Sequence, residues 1–303
     1  MNTNILSLPN MLFNGDIPPN NTLLPEIPKR TVIATTTLYK TNPDGTFTDD
    51  TAMRAKLALQ LVHNARERGY DIVVVDGGSD TGWRHEIKDT GAVLVDENIS
   101  NYPGKHFMGR SRRQALDIAA NLGGHDIISW IEPEKAPYII TPNGESPLAM
   151  TASAIADGRA DLIIPRRMDN LTSYPLQQQL KEIMANLTYQ SMINDALMRR
   201  GSVTRVPYLD LQIGPRTISK NDITYFVGYN GTVNGKPFDR WESIFIPVVR
   251  MILDGKRAES VAVPYVHPAE QTRIESDNPV YDCKRVEQAS VIVTAIGELL
   301  KMA

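Results

Sequence analysis

Short apolar segments rich in β-branched residues alternate with helical patterns between residues 31 and 165. In the stretches between them, apolar residues recur three or four positions apart, which is typical of amphipathic helices. Gly69 and Gly123-Gly124 end two of these patterns, as glycine often does. The predicted strands are residues 31–38, 71–75, 92–95, 127–131 and 161–165. Strand-helix alternation of this kind predicts an α/β fold with a mostly parallel sheet and helices on both faces.

The second half of the chain is less regular. Helical patterns cover residues 176–197, 241–252 and 286–300, and we expect Pro247 in the first turn of its helix. Residues 210–219 suggest a strand and a turn. Residues 259–267 alternate like a strand, where Pro264 favours a sheet edge or a bulge. No linker separates the halves, so residues 31–303 are predicted to form one domain.

Residues 1–30 differ in composition from the rest of the chain. They hold five of the twenty prolines and six asparagines, and their apolar residues come only in short groups. We interpret them as an N-terminal arm. Leu12, Phe13, Leu23 and Leu24 would pack on the domain or on a second copy, and the second case predicts a homo-oligomer.

The bulk composition excludes several classes of protein. The formal net charge is −3 and the pI about 6.0, which gives no support to nucleic-acid binding. The single cysteine, Cys283, cannot form an internal disulfide and fits a reducing compartment. No stretch has the length of a membrane span, and the N-terminus does not resemble a signal peptide. We therefore expect a soluble, cytoplasmic protein.

Three polar clusters follow predicted strands, at residues 36–39, 76–80 and 132–134. Since ligands bind at the carboxyl ends of parallel strands, the clusters are expected to share one site. Asp76-Gly77-Gly78 either hydrogen-bonds a base or ribose or is only a tight turn; it matches neither GxGxxG nor a Walker A loop. Glu132 and Glu134 either hold a hard cation on a diphosphate or form a solvated acidic turn.

A basic run and one histidine complete the candidate set. The run comprises Lys105, His106, Arg110, Arg112 and Arg113, at and near the start of a helix. It either neutralises phosphate or is simply a solvated helix start. His267 follows the last predicted strand, and a lone histidine is more often structural than a ligand.

The order of these motifs resembles the GT-A glycosyltransferases, which use nucleotide sugars. TVIATTTLY, DIVVVDGGSD, GRSRRQALDIA and DIISWIEPE correspond to the strand with a base-binding turn, the "VVDDGSxDGT" loop, the "GxxxARNxG" helix and the DxD strand of that superfamily. LDLQIGPRTIS is similar to its "DxxxGxRxFS" segment. The stretch from RWESIF to PYVHP resembles polyprenyl-phosphate sugar synthases and glucosyl- and mannosyl-glycerate-type synthases. The likeness spans about residues 31–275.

The resemblance implies a role for each matching residue. The nucleotide would be held by Thr36, Thr37, Tyr39, Asp76, Gly77, Arg110 and Arg112, with the two arginines near the diphosphate. A divalent metal (Mn²⁺ or Mg²⁺) would be bound by Glu132, Glu134 and His267, with Glu134 the expected direct ligand. Arg216 would lie near the acceptor, and Glu242 or Asp239 would deprotonate it if the enzyme inverts.

The expected function is transfer of a sugar from a nucleoside-diphosphate sugar to a small or soluble acceptor. Two departures bear on the metal: ExE replaces DxD, and the loop reads DGGSD rather than DDGS. They leave open a metal-independent or inactive member. The alternatives are a nucleotidyltransferase and a non-catalytic nucleotide-sugar-binding protein. TTTLYKTNPDG lacks the glycine-rich loop of the first, which speaks against it.

Overall fold

A seven-stranded sheet forms the centre of the molecule in the computed structural model, which describes residues 26–42, 44–99, 107–276 and 278–301. Its strands lie in the order β3-β2-β1-β4-β6-β5-β9, and β7 and β8 form a separate hairpin. The strands are β1 Thr31–Thr37, β2 Asp71–Asp76, β3 Val93–Asp96, β4 Ile127–Trp130, β5 Leu162–Arg167, β6 Arg216–Ser219, β7 Thr232–Val233, β8 Lys236–Pro237 and β9 Ala258–Val263. Of the described strands in this sheet, β6 alone runs antiparallel to its neighbours, so the predicted mostly parallel sheet is confirmed.

Helices cover the sheet on both faces, as predicted. They are α1 Glu26–Arg30, α2 Asp49–Glu67, α3 Thr81–Asp89, α4 Met108–Asn121, α5 Pro147–Ala156, α6 Leu176–Arg199, α7 Thr224–Val227, α8 Ile246–Leu253, α9 Ala269–Glu275 and α10 Pro279–Leu300. Side-chain caps start several of them: Thr48 caps α2, Ser146 caps α5 and Asn278 caps α10. Pro247 lies in the first turn of α8, where its missing N–H costs nothing.

The strand order places a crevice beside β1. β1 pairs with β2 on one side and with β4 on the other, both in parallel. The chain therefore moves outward through β2 and β3 and then returns to the opposite side of β1. Such a switch point opens a crevice at the carboxyl ends of the two central strands, which is where α/β proteins bind ligands.

Two apolar layers hold the sheet between the helices. One packs α4, α6, α8 and α10 against one face and includes Trp130 and Phe245; the other packs α2 and α3 against the opposite face and includes Trp83. The interiors of β1 and β2 are almost entirely buried, as their β-branched runs predicted. The core thus fixes the strand ends that carry the polar clusters.

Some elements differ from the sequence-based expectations. The last five residues of the predicted arm form α1, and Ile27 is buried against α5. Residues 1–25, Lys105 and His106 lie outside the described residues. β9 ends at Val263, before Pro264, and it occupies the sheet edge that this proline predicted. The sequence patterns did not identify the short helices α3 and α9.

In the part of the chain that the structure describes, no helix has both the length and the apolar character needed to cross a bilayer.

Candidate active site

The turn Glu132-Pro133-Glu134 lies at the carboxyl end of β4, at the switch point. It leads from β4 into a 3₁₀ turn at Ala136–Tyr138, and the Lys135 N–H donates to the Glu132 carbonyl at 3.0 Å. The Ile131 N–H still pairs with the Ala34 carbonyl of β1 at 3.1 Å. The two carboxylates are therefore carried by backbone that the sheet holds in place.

Glu132 has the freer of the two carboxylates. It makes no hydrogen bond or ion pair through its side chain to the residues that the structure describes. Arg112, Lys135 and Arg216 are nevertheless close enough for its charge to favour their protonated forms. Gly214 packs directly on it: a Cβ there would overlap the carboxylate, and φ of +97° also favours glycine. The structure thus leaves one carboxylate uncommitted in a positively charged pocket.

Glu134 is already paired. Its Oε1 lies 3.7 Å from Nη1 of Arg54 on α2, and the Tyr39 hydroxyl donates to it at 3.4 Å. Arg54 also bonds Asp50 and Glu275, at 2.9 and 2.8 Å. Burial alone would lower the pKa of Arg54, but these acids outweigh it and raise that pKa. Any cation that uses Glu134 must therefore compete with a guanidinium.

His267 lies in a buried and positively charged environment. Its ring is 4.0 Å from that of Tyr174, and Nδ1 is 2.8 Å from the Thr272 hydroxyl. Burial lowers the pKa of His267 to about 2, and the charges of Lys135, Arg285 and Arg167 add to this effect. The imidazole is therefore neutral at physiological pH.

The lowered pKa predicts acid sensitivity that depends on His267. Below about pH 6.5 the unfolded chain takes up a proton that the folded protein does not, so stability falls as the pH drops. Between pH 7.5 and 5 we expect the wild type to lose roughly 2 kcal/mol more unfolding free energy than His267→Gln. Urea unfolding in EDTA at both pH values measures this. An equal loss in the two proteins would contradict the prediction.

The predicted metal ligands do not form one preformed cluster. Among the described residues, no group of three or more His, Cys, Asp or Glu side chains is placed to hold a metal ion. Glu134 is ion-paired with Arg54, and His267 bonds Thr272. Glu132 is the remaining candidate, because a free carboxylate is the ligand that hard cations prefer. The structure therefore fits a cation that would bind through Glu132 and the oxygens of a ligand.

Asp76 organises its own loop. Oδ1 accepts hydrogen bonds from the hydroxyls of Thr37 and Ser79. Oδ2 accepts from the N–H groups of Gly78 and Ser79 and from Arg84, the last at 2.6 Å. Five donors already bond the Asp76 carboxylate, and the residue is only 1% exposed. Asp76 therefore has little capacity left to accept a hydrogen bond from a nucleobase. Asp76 thus holds the backbone of Gly77 and Gly78 in position.

The predicted nucleobase residues of β1 divide into two groups. Thr37 and Tyr39 are buried: Thr37 bonds Asp76, and Tyr39 packs edge-on against Trp83 and reaches Glu134. Thr36 is half-buried near the end of β1, and Gly77, the residue that follows β2, donates its N–H to the Thr37 carbonyl at 2.8 Å. Thr36 and Gly77 therefore remain available to line a nucleotide pocket.

Arg112 is buried close to the acidic turn Glu132-Pro133-Glu134. Its Nη1 donates to the carbonyls of Arg240 and Trp241 and to the Ser243 hydroxyl, and the guanidinium lies 5.3 Å from the Trp130 ring. Burial lowers the pKa of Arg112, although Glu132, Glu242 and other nearby acids oppose this. Arg110, from the same basic run, instead lines a shallow surface cleft with Asn98, Gln114, Asp117 and Val227. The two arginines thus do not face one ligand together.

Asp239 is paired with Arg113. Both carboxylate oxygens accept from the guanidinium, and the Asp239 carbonyl accepts from the Gly109 N–H at 3.0 Å. Gly109 and Gly231 pack so closely on Asp239 that neither position has room for a side chain. This environment holds the segment before Glu242 against α4 and makes Asp239 the weaker of the two predicted bases.

Glu242 carries a buried carboxylate oxygen without a partner. The residue is 2% exposed, and its Oε2 has no hydrogen bond to any described residue. Nε of Arg112, Nε of Arg216 and Nε1 of Trp130 are likewise buried and unpaired. Unpaired buried polar atoms are costly, so a group of them usually has a functional reason.

Arg216 supports the segment that packs on Glu132. It is completely buried, and it donates to the carbonyls of Leu211, Gly214 and Pro215 at 2.6, 3.2 and 2.8 Å. Burial lowers its pKa to about 10, so it stays protonated. The resemblance implied contact with the acceptor; the structure places the guanidinium behind the Gly214 turn instead.

A buried ion network holds the same segment from α6. Arg167 makes a bidentate pair with Asp210 at 2.6 and 2.7 Å and lies 2.7 Å from Glu182 of α6. Asn186, one turn further along α6, donates to Asp210 at 2.9 Å. The residues just before Gly214 are therefore tied to the inner face of α6.

Sequence reasoning missed Arg54 and Gly214. Arg54 is one of many charged residues on α2, and nothing in its spacing indicates a partner about eighty residues away. Gly214 offered a weak signal, since glycine before Pro215 suggests an unusual backbone.

The mostly parallel sheet with helices on both faces matches the fold of solved glycosyltransferase structures, which confirms the predicted GT-A fold. The chain is similar to solved structures of glucosyl-3-phosphoglycerate synthase from Mycobacterium tuberculosis. For the complex with Mn²⁺, UDP and glucosyl-3-phosphoglycerate, the TM-score is 0.52 at 12% identity, covering 90% of this chain and 82% of the other. For the complex with Mn²⁺, UDP-glucose and phosphoglyceric acid, it is 0.53 at 12% identity, covering 90% and 81%.

No protein-family model matches the sequence, and no curated protein matches it. At 12% identity the structural likeness establishes the fold.

Proposed function

We propose that the chain is a glycosyltransferase that moves a sugar from a nucleoside-diphosphate sugar to a small acceptor. The observation that carries the proposal is the charge cluster at the switch point, in which Glu132 is half-buried and Arg112, Arg216 and Glu242 are buried. There, Glu132 and Oε2 of Glu242 are uncommitted acids, and Arg112 and Arg216 are buried cations. Charged groups fixed in a water-poor site are suited to stabilising charge that develops during transfer.

The residues divide the work of donor binding. Thr36 and the Gly77 backbone would line the nucleotide pocket, with Asp76 holding the loop in shape. Arg112 would supply positive charge behind the diphosphate. A divalent cation, present with UDP in similar structures, would be held by Glu132 and would neutralise the departing diphosphate.

Glu242 is the proposed acceptor base if the configuration at the sugar inverts. A base needs a lone pair that other groups do not occupy, and Oε2 has one. Asp239 shares both oxygens with Arg113 and is the second choice. If the enzyme retains configuration, no such base is required. The similar structures contain phosphoglyceric acid or glycerol 3-phosphate, which supports a small acceptor without identifying it.

A donor screen tests the proposal. Calorimetric titration with UDP-, GDP- and ADP-sugars, with and without Mn²⁺, is expected to give one preferred donor. Release of the matching nucleoside diphosphate in the presence of small hydroxylated acceptors is then expected. Release of pyrophosphate would point to a nucleotidyltransferase, and binding without turnover would point to a nucleotide-sugar binder. Either result would overturn the proposal.

A further inference from the structure

The outer face of α6 carries a row of exposed apolar side chains. Leu176, Leu180, Met184 and Leu187 are 63%, 57%, 70% and 52% exposed. Their spacing of four, four and three residues places them on one side of the helix over about three turns. We call these four residues the α6 stripe. Single exposed apolar residues are ordinary, but a contiguous row marks an interaction surface.

The α6 stripe has no charged residue within it. The other exposed positions of α6 up to Ser191 are Gln177, Thr188 and Ser191 itself. Lys181 is turned aside and paired with Asp282 of α10, and Glu182 is buried on the Arg167 side. Depletion of charge at the centre of an apolar patch is characteristic of protein interfaces.

α2 provides a comparison within the same molecule. Its exposed residues at the same spacing of four, four and three are Ala52, Lys56, Gln60 and His63, and none of them is a large apolar side chain. Both helices cover the sheet with their inner faces, so an apolar inner face does not explain the difference. The outer face of α2 carries polar side chains that water can solvate, whereas the outer face of α6 carries large apolar side chains that a protein contact could bury.

We propose that the α6 stripe is the contact surface between two copies of this chain. The stripe is nearly symmetric about the point midway between Leu180 and Met184. In an antiparallel pair with a two-fold axis at that point, Leu180 meets Met184 of the second copy and Leu176 meets Leu187. A self-complementary patch of this kind is what a two-fold interface requires. Because the stripe is uncharged, it calls for no oppositely charged partner.

The area is sufficient for such a contact. The exposed parts of the four side chains amount to roughly 450 Å² per copy, so a contact that covered them completely would bury at most roughly 900 Å² in the pair. Gln177, Thr188 and Ser191 at the margin would bring the total above the about 1,000 Å² expected of a specific interface. Two helices that cross at a shallow angle pack side chains of this size well.

The mass of the full chain in solution tests the proposal. Light scattering after size exclusion is expected to give about 67 kDa, twice the 33.7 kDa of one chain. Met184→Glu is expected to give the single-chain mass, with the dimer dissociation constant raised about 100-fold or more. Gln60→Glu on α2 is the matched control and should remain dimeric. Circular dichroism melting shows whether each variant is folded, and the milder Met184→Gln should weaken the dimer if Met184→Glu does not fold.

Mixing two variants tests the register. Leu180→Lys and Met184→Glu should each be monomeric alone, but together they should form a mixed dimer in which the introduced lysine of one copy faces the introduced glutamate of the other. A wild type that stays at 33.7 kDa up to about 100 μM would overturn the proposal. So would a folded Met184→Glu variant that remains dimeric. A monomeric wild type that binds uncharged phosphatidylcholine vesicles would assign the stripe to a lipid surface and would also overturn it.

Discussion

Replacing Glu132 by Gln is expected to reduce sugar transfer by at least about 100-fold, whereas Glu134→Gln reduces it by less than about tenfold. Glu132 is uncommitted and lies among Arg112, Lys135 and Arg216, so its charge is available to a ligand. Glu134 already compensates Arg54 and bonds Tyr39. Steady-state release of nucleoside diphosphate from the preferred donor measures both variants.

Stability provides the control for this comparison. Glu134→Gln weakens the Arg54 pair and is expected to lower the unfolding free energy by about 1 kcal/mol. Glu132→Gln breaks no hydrogen bond, but it removes the negative charge that favours the protonated forms of Arg112, Lys135 and Arg216, so a modest loss of unfolding free energy is expected there too. The sequence motif alone makes Glu134 the expected direct metal ligand and therefore predicts the larger effect there. If Glu134→Gln proves inactive while Glu132→Gln keeps full activity, the assignment made from the structure is wrong.

Glu242→Gln is expected to reduce turnover by about 100- to 10,000-fold while donor affinity changes by less than about threefold. The substitution keeps the shape of the side chain in its buried position but removes the basic oxygen. Since Oε2 bonds no described residue, the substitution breaks no hydrogen bond through that atom, although it removes a negative charge that favours protonated Arg112. Turnover at saturating donor and acceptor, together with calorimetric donor binding, separates catalysis from affinity.

Glu287→Gln is the matched control, because this acid lies nearby on α10 and pairs with Arg240 at the surface. It should leave turnover unchanged. Unchanged turnover in Glu242→Gln as well would show that no base is needed there, as in a retaining reaction. Equal losses in both variants would point to a general effect of charge on the surface.

The sequence predicted the positions of the strand ends better than the partners of the side chains on them. β1, β2 and β4 end where the apolar runs end, because a buried strand must stop where polar residues begin. The strand-helix alternation also predicts a ligand site at the carboxyl ends of these strands. By contrast, Asp76 finds a partner on α3, Glu134 finds one on α2, and Arg216 finds its partners within a buried turn.

The reason is geometric. A motif records which residues follow a strand, but the nearest opposite charge is set by how α2 and α9 pack against that strand. Arg54 and Glu275 are 221 residues apart in the chain and 2.8 Å apart in the fold. Such pairings depend on tertiary packing, which local periodicity does not contain.

Arg54 joins parts of the protein that are otherwise separate. Its guanidinium holds Asp50 at the start of α2, Glu134 at the end of β4 and Glu275 at the end of α9. Opening any one of these segments leaves a largely buried cation short of a counter-charge, so the three are expected to open together. In native-state hydrogen exchange they should then behave as a single cooperative unit. The three segments around the crevice would then share one free energy of local unfolding, instead of each having its own.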